Sequence, residues 1–160
     1  MYENIYAPWR FKYVTSSSDS DECILCAARG AGKDEEKYIL FRGRYGFIIL
    51  NLFPYNNGHL MIVPNDHVIY LSDLSPETLQ EMLEMASKCE DILRKVYAPK
   101  GFNIGMNIGK CAGAGIKDHL HLHVIPRWEG DTSFISILSG TRIIPEDIDT
   151  TYQKLRPFFS

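Results

Sequence analysis

Three of the five histidines fall within five residues, at 119, 121 and 123. In an extended strand, residues at i, i+2 and i+4 point to one face, each step spanning roughly 6.5–7 Å. That alternation puts His119, His121 and His123 on one face and Leu120, Leu122 and Val124 on the other. A row of histidines can bind a metal, or it can handle phosphate by nucleophilic attack and hydrogen bonding. The bland alternative is three hydrogen-bonded histidines on a half-exposed strand. A second constellation is Cys23-x-x-Cys26, two soft ligands at a spacing suited to zinc but only half a site. It could equally be a reduced, unmetallated pair. No thioredoxin-like βαβ pattern surrounds it, which argues against a redox role. Cys89 is expected to be a small core residue and Cys111 to lie in a loop; neither needs a function.

The elements that must position these residues are legible in outline. Tyr38 to Phe41 and Phe47 to Leu50 are β-rich runs, and the Arg42-Gly43-Arg44-Tyr45-Gly46 link reads as a hairpin. His59 to Val63 is a third strand, closed by Pro64. Ser75 as N-cap, Pro76 at the first helical position and Glu77 behind it open a long helix. Its apolar stripe is Leu79, Met82, Leu83, Ala86, Ile92, Leu93 and Val96. Phe102 to Ile108 is a fourth strand, residues 109–117 form a Gly/Ala/Lys loop, and His119 to Ile125 is a fifth strand ended by Pro126. Phe134 to Leu138 reads as a further short strand. A short tail helix is expected from about Pro145 to Leu155. Residues 1–14 read as an aromatic-rich ordered arm, 15–22 as a flexible loop, and 27–36 as a surface loop after the cysteine pair.

The chain has 160 residues, 45% of them hydrophobic, with 17 Lys+Arg against 20 Asp+Glu for a net charge of −3. That length suits one domain. The division expected is an arm with the cysteine segment (1–36), a core (37–144) and a C-terminal helix (145–160). The near-neutral charge excludes a dedicated basic nucleic-acid groove. With no apolar run of 18 residues and no signal-peptide pattern at the start, neither a membrane span nor export is expected. The default expectation is therefore a cytoplasmic, reducing location. Strands and one long helix in this order read as α+β: an antiparallel sheet of about five strands with the helix on one face.

Other H-x-H proteins fit poorly. A cupin needs a further downstream histidine, and none follows Arg127; an amidohydrolase barrel needs a far longer chain. The run His119-Leu120-His121-Leu122-His123-Val124-Ile125 resembles instead the histidine triad nucleotide-binding proteins. So does Asn51 to His67, with its Asn…Gly-His…Pro-x-x-His arrangement. Tyr6-Ala7-Pro8-Trp9-Arg10, Asp118 and Pro126-Arg127-Trp128-x-Gly130-Asp131 look like the diadenosine tetraphosphate phosphorylase-like branch. The resemblance implies the histidine triad fold and a nucleotidyl hydrolase or transferase acting on dinucleoside polyphosphates, by phosphorolysis or hydrolysis. His121 would be the nucleophile, attacking an α-phosphorus to form a nucleotidyl-histidine, and His123 would hydrogen-bond the phosphate oxygens. His59 would be a further active-site histidine beside the triad. Asn51 would contact the ribose, Asn107 would face the phosphates, and Gly113-Ala114-Gly115 would offer backbone N–H groups to anionic oxygens. Lys117 would add charge there, and Trp128 would lie near the polyphosphate. Gly115 stands where many relatives carry a hydroxyl residue.

The resemblance also completes the cysteine pair. His67 and His119 would join Cys23 and Cys26 in a closed Cys₂His₂ zinc site, which means a structural one. Homodimers are common in the family, through the long helix and the strand after the glycine region; Met82 and Met85 and an edge strand suggest the surface here. The partners implied are a purine nucleotide or dinucleoside polyphosphate and a second copy of the chain. Two rivals remain: a nucleotide-binding module acting on adenylyl phosphoramidates or with little catalysis, and a zinc hydrolase using all three histidines.

Overall fold

A computed structural model describes residues 23–131 and 146–159. The arm, the 15–22 loop and the expected strand at 134–138 lie outside them. Five strands form one antiparallel sheet in the order β1-β2-β3-β5-β4. They are β1 (Ile39–Arg42), β2 (Gly46–Leu50), β3 (Leu60–Pro64), β4 (Gly101–Met106) and β5 (Leu122–Arg127). Among the described residues three α-helices accompany them: α1 (Ile24–Gly30), α2 (Pro76–Tyr97) and α3 (Ile148–Leu155).

The sheet is covered on both faces, which is why β2 and β3 read as unbroken apolar runs. One face, with Leu40, Ile48, Leu50, Leu60, Ile62, Leu122 and Val124, packs under α2 and α3. The other, with Ile39, Phe47, Ile49, Met61 and Val63, packs against Leu25 and Ala28 of α1. Leu120, Leu122 and Val124 lie under the long helix as their alternation predicts.

The start of α2 follows its sequence signals: the Ser75 side chain accepts a hydrogen bond from the Thr78 N–H, with Pro76 behind it. The buried face of α2 is Thr78, Met82, Met85, Ala86, Cys89, Ile92 and Leu93. Leu83, expected in the stripe, is 66% exposed instead. Glu81 ties this helix to the β1–β2 hairpin, its carboxylate accepting from the N–H groups of Arg44 (2.8 Å) and Tyr45 (2.6 Å).

Other expectations shift. Tyr38 is not in β1, because it takes the left-handed conformation (φ 56°) as the cap of the preceding 3₁₀ turn. The expected loop at 27–36 is helical as far as Gly30, since Leu25 and Ala28 find an apolar sheet face to cover. The tail helix starts at Ile148, where Asp147 caps it by accepting from the Thr150 N–H. The strand expected from His119 begins only at Leu122: the Leu120 N–H donates to the Val68 carbonyl at 2.7 Å, which draws the chain away from the sheet ladder.

Candidate active site and metal cluster

β5 pairs with β3 so that Met61 lies opposite His123 and Leu60 opposite Val124. His59, just before β3, therefore sits diagonally across from His123. His59, His119, His121 and His123 are all buried, none more than 8% exposed.

The back nitrogen of each ring determines its tautomer. His121 Nδ1 is 2.8 Å from the His119 carbonyl, which can only accept. The proton therefore sits on Nδ1, and the Nε2 lone pair is left for another partner. The Tyr55 N–H donates to His59 Nδ1 at 3.1 Å, so His59 carries its proton on Nε2. That proton is donated to His123 Nδ1 at 2.9 Å. His123 in turn carries its proton on Nε2, as a hydrogen-bond donor. One site thus holds a lone pair on His121 beside an N–H on His123, with ring centroids 4.8 Å apart.

Burial keeps this set neutral. It pushes the His59 pKa down to about 3 and that of His123 to about 4, with the neighbouring histidines adding repulsion. It also lowers the pKa of His121 and His119, partly opposed by their carbonyl partners. A neutral ring is what both a nucleophile and a metal ligand require.

His119 faces elsewhere. Its Nε2–H donates to the Pro64 carbonyl at 3.0 Å, leaving the Nδ1 lone pair toward Cys23 Sγ (3.3 Å) and Cys26 Sγ (3.5 Å). His67 Nδ1 is 3.4 Å from Cys26 Sγ. The four ligand atoms lie within 4.8 Å of one another. Tetrahedral zinc with Zn–S near 2.3 Å and Zn–N near 2.0–2.1 Å has S···N edges of about 3.5 Å. These separations therefore fit a Cys₂His₂ zinc site. The Pro64 carbonyl is the kind of outer partner that orients a ligating imidazole.

A family model, the HIT domain, matches residues 33–130. The chain belongs to the HIT family. Over 96% of its length it is 42% identical to an AP-4-A phosphorylase of Mycobacterium tuberculosis, covering 82% of that protein. It is 32% identical to an asymmetrical bis(5'-nucleosyl)-tetraphosphatase of Schizosaccharomyces pombe, over 59% of this chain and 52% of that one. Among solved structures, a zinc-bound histidine triad family protein from Mycobacterium smegmatis superposes with a TM-score of 0.68 at 28% identity, covering 86% of this chain and 93% of that one.

Within this HIT domain, Asn51 lies beside the histidines: its Nδ2 is 3.3 Å from His59 Nδ1 and its Oδ1 accepts from the Phe53 N–H at 2.9 Å. Asn107 follows Met106, which pairs with Leu122, so it comes level with His121. The glycine loop is partly occupied with itself. The N–H groups of Gly113 and Ala114 donate to the Lys110 and Gly109 carbonyls, while Gly115 is exposed. Lys117 is paired with Asp118 at 3.2 Å on the surface. The Trp128 backbone N–H donates to Asp131 at 3.2 Å. Residues that sequence reasoning passed over are Tyr55 and Asn56. Tyr55 sets the His59 tautomer through its backbone, where side-chain type carries no signal. Asn56 is a buried amide bonded to the Pro126 carbonyl and Asp131.

The expected dimer surface needs correction. Met82 and Met85 are buried in the chain's own core, and the histidine strand β5 lies inside the sheet. Among the described residues the edge beside it is β4, where Ile104 is 46% exposed. Among the described residues no helix is long and apolar enough to cross a membrane.

Proposed function

We propose that this HIT-family protein is an enzyme that cleaves dinucleoside polyphosphates by phosphorolysis through a nucleotidyl-histidine intermediate. The observation that carries the reading is the tautomer of His121. With Nδ1–H committed to the His119 carbonyl, the Nε2 lone pair is the free nucleophile. In the proposed sequence His121 Nε2 attacks the α-phosphorus of one nucleotidyl group, and the remaining nucleoside polyphosphate leaves. Inorganic phosphate then attacks the same phosphorus, breaking the P–N bond and restoring His121. With diadenosine tetraphosphate the products are ATP and ADP. His123 Nε2–H donates to the non-bridging oxygens, where charge develops. Phosphate rather than water is favoured as acceptor because the likeness to the phosphorylase spans 96% of the chain and that to the tetraphosphatase 59%.

The remaining roles follow the same reading. Asn51 contacts the ribose, Asn107 and the Gly113–Gly115 loop face the phosphates, and Trp128 lies near the polyphosphate. Cys23, Cys26, His67 and His119 hold a structural zinc ion, which supplies no chemistry at the phosphorus and pins the cysteine segment to the start of the histidine run. A reducing, cytoplasmic setting keeps those cysteines as ligands. The chain acts as one domain, with residues 1–36 as its arm and cysteine segment, and dimerises through the β4 edge and the long helix.

The test is a product assay on diadenosine tetraphosphate with and without inorganic phosphate, using wild type and His121→Asn. ADP plus ATP formed only with phosphate, and turnover lost in the variant with nucleotide binding retained, is the expected result. AMP plus ATP without phosphate would mean hydrolysis, and turnover by the variant would sink the covalent mechanism.

A further inference from the structure

We propose that Asp131 is a positioning residue for catalysis, holding the loop between β2 and β3 so that His59 keeps its hydrogen bond to His123. This rests on the function proposed above and adds to it a residue outside the histidine set. The loop spans residues 51–59 and carries Asn51, Tyr55 and His59. Its neck is closed by the Asn51 N–H, which donates to the His59 carbonyl at 3.0 Å. Its far side is held by Asn56, 8% exposed, whose Nδ2 group donates to the Pro126 carbonyl (3.0 Å) and to Asp131 Oδ2 (2.8 Å).

Asp131 is itself built into the end of β5. Arg127 donates to both carboxylate oxygens, Nε at 2.6 Å and Nη2 at 2.8 Å, and the Trp128 N–H adds a contact at 3.2 Å. Arg127 Nη1 continues to Asn103 Oδ1 on β4 at 2.6 Å. A bidentate arginine pair is geometrically specific as well as strong. One carboxylate, 8% exposed, therefore joins the loop to β5, and its arginine joins β5 to β4. The Arg127 guanidinium holds that carboxyl well below the usual carboxylate range, so it stays an acceptor.

The link from Asn56 to the histidines is short. The His59 N–H donates to the Asn56 carbonyl at 3.2 Å, and the Tyr55 N–H, one residue earlier, donates to His59 Nδ1. A shift of the 55–56 segment therefore moves both the Tyr55 N–H that orients the His59 ring and the Asn56 carbonyl that holds the His59 backbone. A simple stabilising ion pair would leave the buried Asn56 amide unexplained. Without the carboxylate, a buried donor on the loop would lack its acceptor, a cost that drives the loop to move.

Asp131→Asn tests this. It keeps the shape but turns an amide toward Arg127, so the clamp opens. The expected result is a kcat loss of about tenfold with KM within about twofold. The double variant Asp131→Asn/His59→Asn should be no slower than His59→Asn alone, because both act on one bond. Independently of activity, ¹⁵N NMR of labelled histidines should show the His123 ring, identified by its loss in His123→Gln, changing from one tautomer to a mixture. Multiplicative losses in the double variant, or an unchanged His123 signal with only a lower melting temperature, would overturn the proposal. If the wild type fails to cleave dinucleoside polyphosphates, the functional reading fails, and the NMR result alone decides the positioning role.

Discussion

Replacing His59 by asparagine and, separately, by glutamine splits its two hydrogen bonds. The Asn amide places an acceptor near the position of Nδ1, so it keeps the bond from the Tyr55 N–H and loses the one to His123. The Gln amide reaches the position of Nε2, so it keeps a donor for His123 and loses the acceptor for Tyr55. His59→Asn breaks the buried bond to His123 at 2.9 Å, and His59→Gln breaks the half-buried one from the Tyr55 N–H at 3.1 Å together with the Asn51 Nδ2 contact at 3.3 Å; leaving one such partner unsatisfied costs about 1–3 kcal/mol. For a domain of this size 1 kcal/mol corresponds to roughly 2–4 °C in Tm. Both variants should therefore melt about 2–12 °C lower, by similar amounts. Their kinetics should differ. In His59→Asn the His123 Nδ1 has no donor, so its proton can sit on either nitrogen and the N–H toward phosphate is no longer secured. If that 1–3 kcal/mol is felt in the transition state, kcat falls roughly 5- to 150-fold. In His59→Gln kcat should stay within about threefold of wild type, the loop being perturbed but the donor retained. Steady-state assays on diadenosine tetraphosphate with phosphate, beside thermal melts, separate the two effects. Equal kcat losses in the two variants, or a fully active His59→Asn, would refute the relay.

Three further outcomes follow from the same geometry. Burial holds the pKa of His59 near 3 and of His123 near 4, below the ordinary 6.5 of the unfolded chain. The unfolded state therefore binds more protons between pH 6.5 and 4, and stability present above 6.5 is lost through that window, by up to about 1.4 kcal/mol per pH unit for each ring; urea midpoints should show it, and His59→Gln should lose one ring's share of the slope. Elemental analysis of the purified chain should give about one zinc per chain, and Cys26→Ser should lose the metal and melt lower; full metal content in that variant would rule out the cluster as the site. Ile104→Lys, on the exposed edge strand, should convert a dimer to a monomer in sedimentation velocity; an unchanged dimer would exclude β4 from the interface.

How much of this was legible beforehand depended on which atoms did the work. The α+β class, the five strands, the cap of α2 and the split of Leu120, Leu122 and Val124 from the histidines all follow from side-chain type and period, and the structure has them. The grouping of Cys23, Cys26, His67 and His119 came from family resemblance, and the structure brings those four ligand atoms together. What was not legible was set by the backbone or by distant partners. His119 leaves the strand because of the Val68 carbonyl, and α1 forms because a sheet face needs cover. Tyr38 sits in a β-rich run of side chains, although its backbone is left-handed. Asn56 carries no local signal, since its partner Asp131 lies 75 residues away.

The three histidines of the triad have the same side chain, yet the structure prepares each for a different task, and the difference lies in what stands behind each ring. Behind His119 is the Pro64 carbonyl at Nε2, so its lone pair is Nδ1 and faces the thiols. Behind His121 is the His119 carbonyl at Nδ1, so its lone pair is Nε2. Behind His123 is another imidazole, the Nε2–H of His59, so its Nδ1 accepts and its outward nitrogen carries a proton. Two carbonyls and one donor thus suit a repeated residue to the three roles proposed for it: ligand, nucleophile and hydrogen-bond donor. The first two are also joined, because the carbonyl that sets the His121 tautomer belongs to the residue proposed to bind zinc. Displacing the His119 backbone by emptying the metal cluster would therefore reach the His121 tautomer without touching the phosphate side, whereas opening the Asn56 clamp would reach His123 without touching the metal.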